Sequence, residues 1–288
     1  MRVIIFDLDG TLTDPEEGIC ESVRYALTKG GYPVGSREQY HPWIGPPLLR
    51  SFIEYAGVDE AEALRLLGFY RERFSTVGLF ENRVYPGIPE LLRELKAAGN
   101  RLMVATGKPA VFSERILEHF GLLAYFDTVS GISLSETPMD KQGVITAGLL
   151  RMGVTDRTDC VMVGDRDQDV EGARLCGLPC IYVLYGYGSR EEALRSRSDR
   201  GKCLGTARNS DGVNTSPSGI SREGMCCNRH TVLSLRKHGI ATKHAGDFTQ
   251  GLLGNLRRYK TRRTPTVPPY TVSCRRPRSS VSSPLLCR

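Results

Sequence analysis

Near its N-terminus the chain reads Val3-Ile4-Ile5-Phe6-Asp7-Leu8-Asp9-Gly10-Thr11, a short apolar run that leads into two acidic residues. Four consecutive apolar residues without polar alternation indicate a strand that is buried on both faces of a parallel sheet. Asp7 then lies where the strand turns into a loop, and in open α/β sheets ligands bind at this carboxyl edge. The stretch therefore predicts a fold class and the position of a site.

The same pattern recurs along the first two thirds of the chain. Further strands are predicted at 102–105, 128–130, 160–163 and 180–183, and helices at 16–30, 47–56, 59–76, 87–98, 109–120, 140–152 and 168–176. This alternation indicates an α/β fold with a Rossmann-like parallel sheet covered on both faces. The stretch between the first strand and the Pro86-Gly87 turn is almost purely helical. We therefore expect a core formed by 1–14 and 82–198, with a helical cap inserted at 15–81.

Composition excludes several classes of protein. The chain has 288 residues, of which 40% are hydrophobic and 25% charged, so a packed core is feasible. No apolar run approaches the roughly 18 residues of a membrane span. The N-terminal apolar run is too short for a secretory signal. The nine cysteines include no CxxC pair, which favours reduced thiols. These features predict a cytoplasmic protein without a membrane partner.

Charge divides the chain into two unlike parts. Residues 200–288 carry 17 Lys and Arg against three Asp and Glu, whereas residues 1–199 carry 22 basic and 29 acidic residues. The segment 199–288 reads as an irregular, basic and disordered C-terminal extension in which only 232–240 and 250–259 could form short helices. Two interpretations compete. The extension binds nucleic acid or an acidic partner through its charge, or it is a tail without a selected function, such as the product of a shifted reading frame.

Chemically useful side chains follow the ends of three predicted strands. They are Asp7 and Asp9 after the first, Thr106 after the second, and Asp165 with Asp169 after the strand at 160–163; Lys141 begins a helix that reaches the same edge. Converging carboxylates repel one another unless a cation neutralises them, and Mg²⁺ prefers oxygen ligands. We therefore expect Asp7, Asp165, Asp169 and the main-chain carbonyl of Asp9 to hold Mg²⁺.

The same residues suggest phosphoryl chemistry. Asp7 could attack phosphorus and form an aspartyl-phosphate. Asp9, two residues later, could protonate the leaving group. Free N–H groups at Gly10 could cradle phosphate oxygens, and Thr106 and Lys141 could hold the transferring group. Simpler interpretations remain: Asp165 and Thr106 could each cap a helix, Lys141 could be a surface lysine, and Lys108 is a rival phosphate-binding lysine.

Four short motifs, in order, carry a resemblance to the haloacid dehalogenase superfamily of phosphatases. They are Asp7-Leu8-Asp9-Gly10-Thr11-Leu12-Thr13, Thr106 within Val104-Ala105-Thr106-Gly107-Lys108-Pro109, Lys141, and Gly164-Asp165-Arg166-Asp167-Gln168-Asp169. The resemblance covers residues 1–190. It implies a Rossmann-like core, Mg²⁺, an aspartyl-phosphate intermediate and a phosphate-binding role for Gly107 beside Thr106. Asp9 argues against the dehalogenase branch, which lacks a carboxylate there.

Two further stretches are similar to the phosphoglycolate phosphatase and 5′-nucleotidase-like subgroup. They are Trp43-Ile44-Gly45-Pro46-Pro47-Leu48 and Val183-Leu184-Tyr185-Gly186-Tyr187-Gly188-Ser189. This similarity implies a Mg²⁺-dependent phosphomonoesterase acting on a small phosphorylated metabolite or a nucleoside monophosphate. A phosphomutase of the β-phosphoglucomutase type is the alternative enzyme, and nucleic-acid binding through the tail is the alternative from another class. The superfamily core would continue past Ser189 with another strand and a closing helix, and the sequence shows only the start of that helix. Oligomeric state is left open.

Overall fold

A computed structural model describes residues 1–134 and 139–192 of the chain, together with the backbone of 231–233. Its strands are β1 (Val3–Phe6), β2 (Thr13–Asp14), β3 (Arg83–Val84), β4 (Arg101–Pro109), β5 (Thr128–Ile132), β6 (Cys160–Gly164), β7 (Cys180–Val183) and β8 (Thr231–Leu233). Its α-helices are α1 (Glu16–Gly30), α2 (Leu48–Ala56), α3 (Glu60–Arg73), α4 (Ile88–Ala97), α5 (Ala110–His119), α6 (Lys141–Arg151) and α7 (Asp167–Leu175). The strands and α-helices predicted between residues 3 and 183 are therefore present, with shifts at their ends.

Six parallel strands form one sheet in the order β5-β4-β1-β6-β7-β8. The first strand of the chain lies inside the sheet: Val3 pairs with Arg101 on one side and with Cys160 on the other. The strand ends that the sequence singled out therefore belong to neighbours, because β4 and β6 flank β1. This arrangement places the three polar strand ends at one edge of the sheet.

Alternate residues of β1 face two different cores. Ile4 and Phe6 pack with the apolar faces of α4 and α5, while Val3 and Ile5 pack with those of α6 and α7. The whole strand is buried. Helices therefore cover both faces of the sheet, which is why the strand carries no polar residue before Asp7.

The segment predicted as the helical cap, residues 15–81, consists of helices between β2 and β3. It contains α1, α2 and α3, a 3₁₀ helix at Arg37–Trp43 and a π-helical turn at Phe74–Gly78 that continues α3. β2 and β3 pair antiparallel, with Thr13 opposite Val84 and Asp14 opposite Arg83. The chain thus leaves and re-enters the core through one short ladder. Sequence patterns did not predict this ladder or the 3₁₀ helix.

The C-terminal part differs from expectation where it is described. Residues 231–233 form β8, which runs parallel to β7 with Ile181 opposite Thr231. The prediction of a helix beginning at 232 is therefore wrong at 232–233, because pairing with a distant strand overrides the local pattern. Arg190–Glu192 are helical, as predicted for the start of the closing helix. The remaining expectations for 193–230 and 234–288, including a helix at 250–259 and disorder, lie outside the described residues. Within the described residues, no helix has the length and apolar character needed to cross a membrane.

Candidate active site

Asp7 is held at the carboxyl end of β1 by its own backbone. Its N–H donates to the carbonyl of Val163 on β6 at 2.9 Å, and the residue is only 6% exposed. The chain then turns tightly, because the carbonyl of Leu8 accepts from the N–H groups of Thr11, Leu12 and Thr13. This turn keeps the Asp7 side chain at the sheet edge.

Three carboxylates meet at this edge. Asp7, Asp165 and Asp169 each offer an oxygen, and these oxygens all lie within 4.8 Å of one another. Burial raises the pKa of Asp165 well above its usual range, and the charges of Asp169 and Asp7 add to the effect. Burial likewise raises the pKa of Asp169 to about 6, although Lys141 opposes the shift. The donor set and its crowded negative charge suit a hard divalent cation such as Mg²⁺.

Asp165 is fixed by donors from two loops. The Thr11 hydroxyl donates to its Oδ1 at 3.2 Å, and the N–H of Tyr187 donates to its Oδ2 at 2.7 Å. Gly10 and Gly186 lie so close to the carboxylate that a Cβ on either would clash with it. The loops after β1 and β7 therefore orient Asp165 together.

Lys141, the first residue of α6, connects two of the carboxylates. Its Nζ lies 3.0 Å from Asp7 Oδ1 and 2.7 Å from Asp169 Oδ1, and donates to the carbonyl of Ala105 at 3.2 Å. Burial disfavours the ammonium, but Asp169 and Asp7 outweigh it and hold the pKa of Lys141 above its usual range. Lys141 is therefore a buried, charged member of the site, and the surface-lysine interpretation is wrong.

Asp9 stands apart from the group of three. Its Oδ2 lies 2.9 Å from Nζ of Lys108, while its buried Oδ1 has no hydrogen-bond partner among the described residues. Burial raises the pKa of Asp9 in spite of Lys108. The structure directs the carboxylate of Asp9 to Lys108. Only the main-chain carbonyl of Asp9 then remains as the predicted ligand from this residue.

Of the predicted phosphate-binding residues, three share one cavity with Asp7 and Asp9. These are Thr106, Gly107 and Lys141. Thr106 is 2% exposed, and its Oγ1 accepts from the N–H of Lys108 at 3.2 Å. Gly10 corrects the prediction: its N–H donates to the carbonyl of Thr13 at 2.8 Å and is not free for phosphate. Hydrogen bonds within the turn after β1 occupy this N–H. Gly10 allows the turn to form because it adopts a φ of +80°, which favours glycine.

Gly10→Ala is expected to damage the site for two reasons. A Cβ at this position meets the Asp165 carboxylate, and a positive φ is unfavourable for alanine. We expect a loss of about 1–3 kcal/mol in unfolding free energy, together with weaker Mg²⁺ binding. Urea unfolding and calorimetric Mg²⁺ titration measure the two effects. Gly57→Ala is the control, because its φ of +68° is also positive but its Cβ position is open. Equal losses in the two variants would exclude a specific contact at Asp165.

The cavity above these residues has a volume of about 400 Å³ and lies between the core and the helical cap. The face of α3 that lines it repeats with helical spacing: Glu60, Leu64, Leu67 and Arg71. Aromatic side chains complete the wall: Trp43, Tyr70, Phe74 and Phe112. Acidic and basic side chains therefore line the cavity at the sheet edge, and largely apolar side chains line it beyond that edge.

Arg166 is a site residue that sequence reasoning did not single out. It lines the cavity, its Nη1 donates to the carbonyl of Ile44 in the helical cap, and its Nε donates to Glu192 at 3.2 Å. Gly45 has a φ of +108° and packs directly on the guanidinium. The available signal was its position next to Asp165 in the fourth motif. Arg166 links the strand end of β6 to the turn at 44–47.

Fold and site together define an α/β protein whose parallel strands deliver carboxylates, a hydroxyl and a lysine to one cavity. Residues 4–183 match the model of the haloacid dehalogenase-like hydrolase family. The chain belongs to this family, and the resemblance noted in its four motifs is confirmed.

Individual relatives agree with the family assignment. A 5′-nucleotidase of Pseudomonas aeruginosa is 44% identical over 204 residues, which cover 71% of this chain and 91% of that protein. The tyrosine-protein kinase PtkA of Mycobacterium tuberculosis is 37% identical, covering 65% and 63%. A phosphoglycolate phosphatase of Pseudomonas syringae is 29% identical, covering 65% and 70%. The crystal structure of a predicted phosphatase from Clostridium acetobutylicum superposes with a TM-score of 0.65 at 45% identity, covering 68% and 90%. The Rossmann-like α/β fold is thereby confirmed.

Proposed function

We propose that the chain is a Mg²⁺-dependent phosphomonoesterase that forms an aspartyl-phosphate on Asp7. The observation that carries the proposal is the position of the Asp7 carboxylate: it is buried at the cavity wall, 3.0 Å from the ammonium of Lys141. A carboxylate placed there can attack a phosphorus atom whose charge the ammonium offsets. Membership of a hydrolase family supports the same reaction.

In this mechanism the residues of the cavity divide the chemical steps among them. Asp7 attacks phosphorus as the ester bond breaks, and the leaving oxygen takes a proton from the carboxyl group of Asp9. Asp9 then removes a proton from the water that hydrolyses the aspartyl-phosphate. The hydroxyl of Thr106, the backbone of Gly107 and the ammonium of Lys141 hold the phosphoryl oxygens.

The residues present fit a magnesium ion. Asp7, Asp165 and the carbonyl of Asp9 would hold it, with Asp169 beside them. Bound Mg²⁺ would neutralise the carboxylates and draw charge from the phosphoryl oxygens. The crowding of three buried carboxylates, whose oxygens lie within 4.8 Å of one another, supports this assignment. Burial is the main cause of the raised pKa values of Asp165 and Asp169, and the neighbouring carboxylates add to it.

The cavity favours a nucleoside 5′-monophosphate over phosphoglycolate. Its volume of about 400 Å³ falls in the range of small-molecule sites, and phosphoglycolate carries only a small, charged leaving group. Leu64, Leu67 and the aromatic wall suit the flat, largely apolar surface of a base. The side chain of Arg71 has no hydrogen bond or ion pair to the part of the chain that the structure describes, and it lines the cavity, so it is available to a polar edge of the leaving group. The relative named 5′-nucleotidase supports this preference.

The main alternative to a hydrolase is a transferase, which passes the phosphoryl group to an acceptor other than water. A phosphomutase would return the group to a sugar phosphate, and a kinase such as the relative PtkA transfers it to another hydroxyl. The largely apolar wall at the helical cap favours hydrolysis of a nucleotide over the handling of a hydroxyl-rich sugar.

Release of inorganic phosphate tests the proposal. The full chain is incubated with nucleoside 5′-monophosphates, phosphoglycolate and sugar phosphates, in Mg²⁺ or in EDTA. We expect Mg²⁺-dependent release, with a kcat/KM for the preferred nucleotide at least about tenfold above that for phosphoglycolate, since contacts to the leaving group discriminate by that much. Preference for phosphoglycolate would contradict the nucleotide assignment. Transfer to a sugar or protein hydroxyl without free phosphate would replace the hydrolase by a transferase.

A further inference from the structure

Lys108 joins three parts of the molecule at one buried point. It extends from β4, its side chain is only 6% exposed, and its Nζ lies 2.9 Å from Oδ2 of Asp9 in the loop after β1. The same Nζ lies 4.4 Å from the centre of the Phe74 ring, which belongs to the π-helical turn of the helical cap. An ammonium between a carboxylate and an aromatic face is restricted in position by both.

This contact distinguishes the two oxygens of Asp9. Oδ2 is engaged by Lys108, whereas Oδ1 is buried and has no hydrogen-bond partner in the described residues. Asp9 also lines the substrate cavity. The side chain is therefore held through Oδ2 at the wall of the cavity, and its carboxyl group keeps one oxygen without a partner in the described residues.

We propose that Lys108 is a positioning residue that acts through Asp9. Its ammonium holds Oδ2 and so keeps the Asp9 carboxyl group at the cavity wall, where the ester oxygen of the leaving group enters. The inference rests on the proposed function. As the bond from Asp7 to phosphorus forms, the bond from phosphorus to the ester oxygen breaks, and its electron pair stays on that oxygen. The oxygen takes the proton from the Asp9 carboxyl group, and Lys108 then lies beside the carboxylate that remains.

A direct phosphate-binding role for Lys108 predicts different kinetic effects from a positioning role. A lysine that binds the phosphoryl group affects every monoester and also inhibition by inorganic phosphate. A lysine that positions the acid affects esters whose leaving oxygen needs a proton, such as nucleotides. It spares p-nitrophenyl phosphate, whose leaving group departs as a stable anion. The quantity to compare is kcat/KM, because it reports the steps up to departure of the leaving group.

The experiment uses Lys108→Met, which keeps chain length and removes the charge. We expect kcat/KM for the preferred nucleotide to fall about 100-fold, the lower end of a general-acid contribution. For p-nitrophenyl phosphate we expect less than about a threefold change, and for the inhibition constant of inorganic phosphate less than about twofold, because neither needs the proton. Lys96→Met is the matched control, since Lys96 also pairs with an aspartate, Asp127, but lies outside the cavity. Lys108→Arg, which retains the charge, should recover most of the loss.

A double variant shows whether Lys108 acts through Asp9. In an Asp9→Asn background, Lys108→Met should lower kcat/KM for the nucleotide by less than about twofold, because two residues that act as a unit are not additive. The full loss in that background would overturn the proposal, as would equal losses for both esters with weaker phosphate inhibition. If the unaltered chain releases no phosphate from any ester, the proposed function itself fails. An active chain with uniform losses in Lys108→Met refutes the role of Lys108 alone.

Discussion

Asp7→Asn is expected to lower kcat for the preferred phosphomonoester by at least about 10³-fold, the scale on which enzymes lose activity when their nucleophile is removed. The amide cannot form the aspartyl-phosphate, and it also removes one of the three carboxylates that lie within 4.8 Å of one another. The fold should persist, because the substitution changes no volume and relieves charge crowding at Asp165 and Asp169. Phosphate release and the midpoint of thermal unfolding are measured on the same preparation.

The covalent intermediate gives an independent readout for Asp7. With the unaltered chain, rapid acid quenching after mixing with substrate should yield a protein heavier by one phosphoryl group, and peptide mapping should locate it at Asp7. Asp7→Asn should show no such adduct. Retained Mg²⁺-dependent turnover in Asp7→Asn, or an adduct on another residue, would refute the assignment of the nucleophile.

Lys141→Met is expected to affect both stability and activity. Lys141 pairs with Asp7 and Asp169 at 3.0 and 2.7 Å and is almost fully buried. Removing one partner from a buried ion pair leaves uncompensated charge and costs about 3–5 kcal/mol. Activity should fall by about 10²–10³-fold, as when another preorganised donor to the reacting group is removed. Urea unfolding at neutral pH and steady-state kinetics measure the two losses.

The effect of Mg²⁺ on stability separates the role of Lys141 in balancing the carboxylates from its role in activity. If unbalanced carboxylates cause the instability, Mg²⁺ should raise the unfolding midpoint of Lys141→Met by more than it raises that of the unaltered chain, because the ion supplies the missing positive charge. Lys96→Met, which breaks a more exposed ion pair with Asp127, should behave like the unaltered chain. A Lys141→Met variant of full stability would show that the carboxylates do not depend on this lysine.

The sequence sufficed for the parts of the fold that depend on local pattern. The apolar run Val3–Phe6 and its counterparts at 102–105 and 160–163 predicted buried strands, and the polar residues that follow them meet at one sheet edge as expected. The ordered motifs predicted the family, which the match over residues 4–183 confirms. Both inferences use spacing along the chain, and spacing is what a sequence shows directly.

Contacts between distant segments could not be predicted in this way. Lys108 pairs with Asp9 across 99 positions, and Arg166 reaches Ile44 across 122. The N–H of Gly10 was expected to be free, but the turn closes on Thr13. Such outcomes depend on rotamers and loop closure. Residues 231–233 make the same point at the level of secondary structure, because β8 is defined by its pairing with β7.

The interior position of β1 has a consequence for the order in which the molecule can be assembled. Val3 is synthesised before both of its sheet partners, Arg101 and Cys160. A nascent chain that has not yet extended past Gly164 lacks β6 on one side of β1, and with it the backbone that holds Asp7 and the carboxylate of Asp165. The strand that carries the nucleophile is therefore synthesised before both of its neighbours, and its apolar residues need protection until β6 has been made.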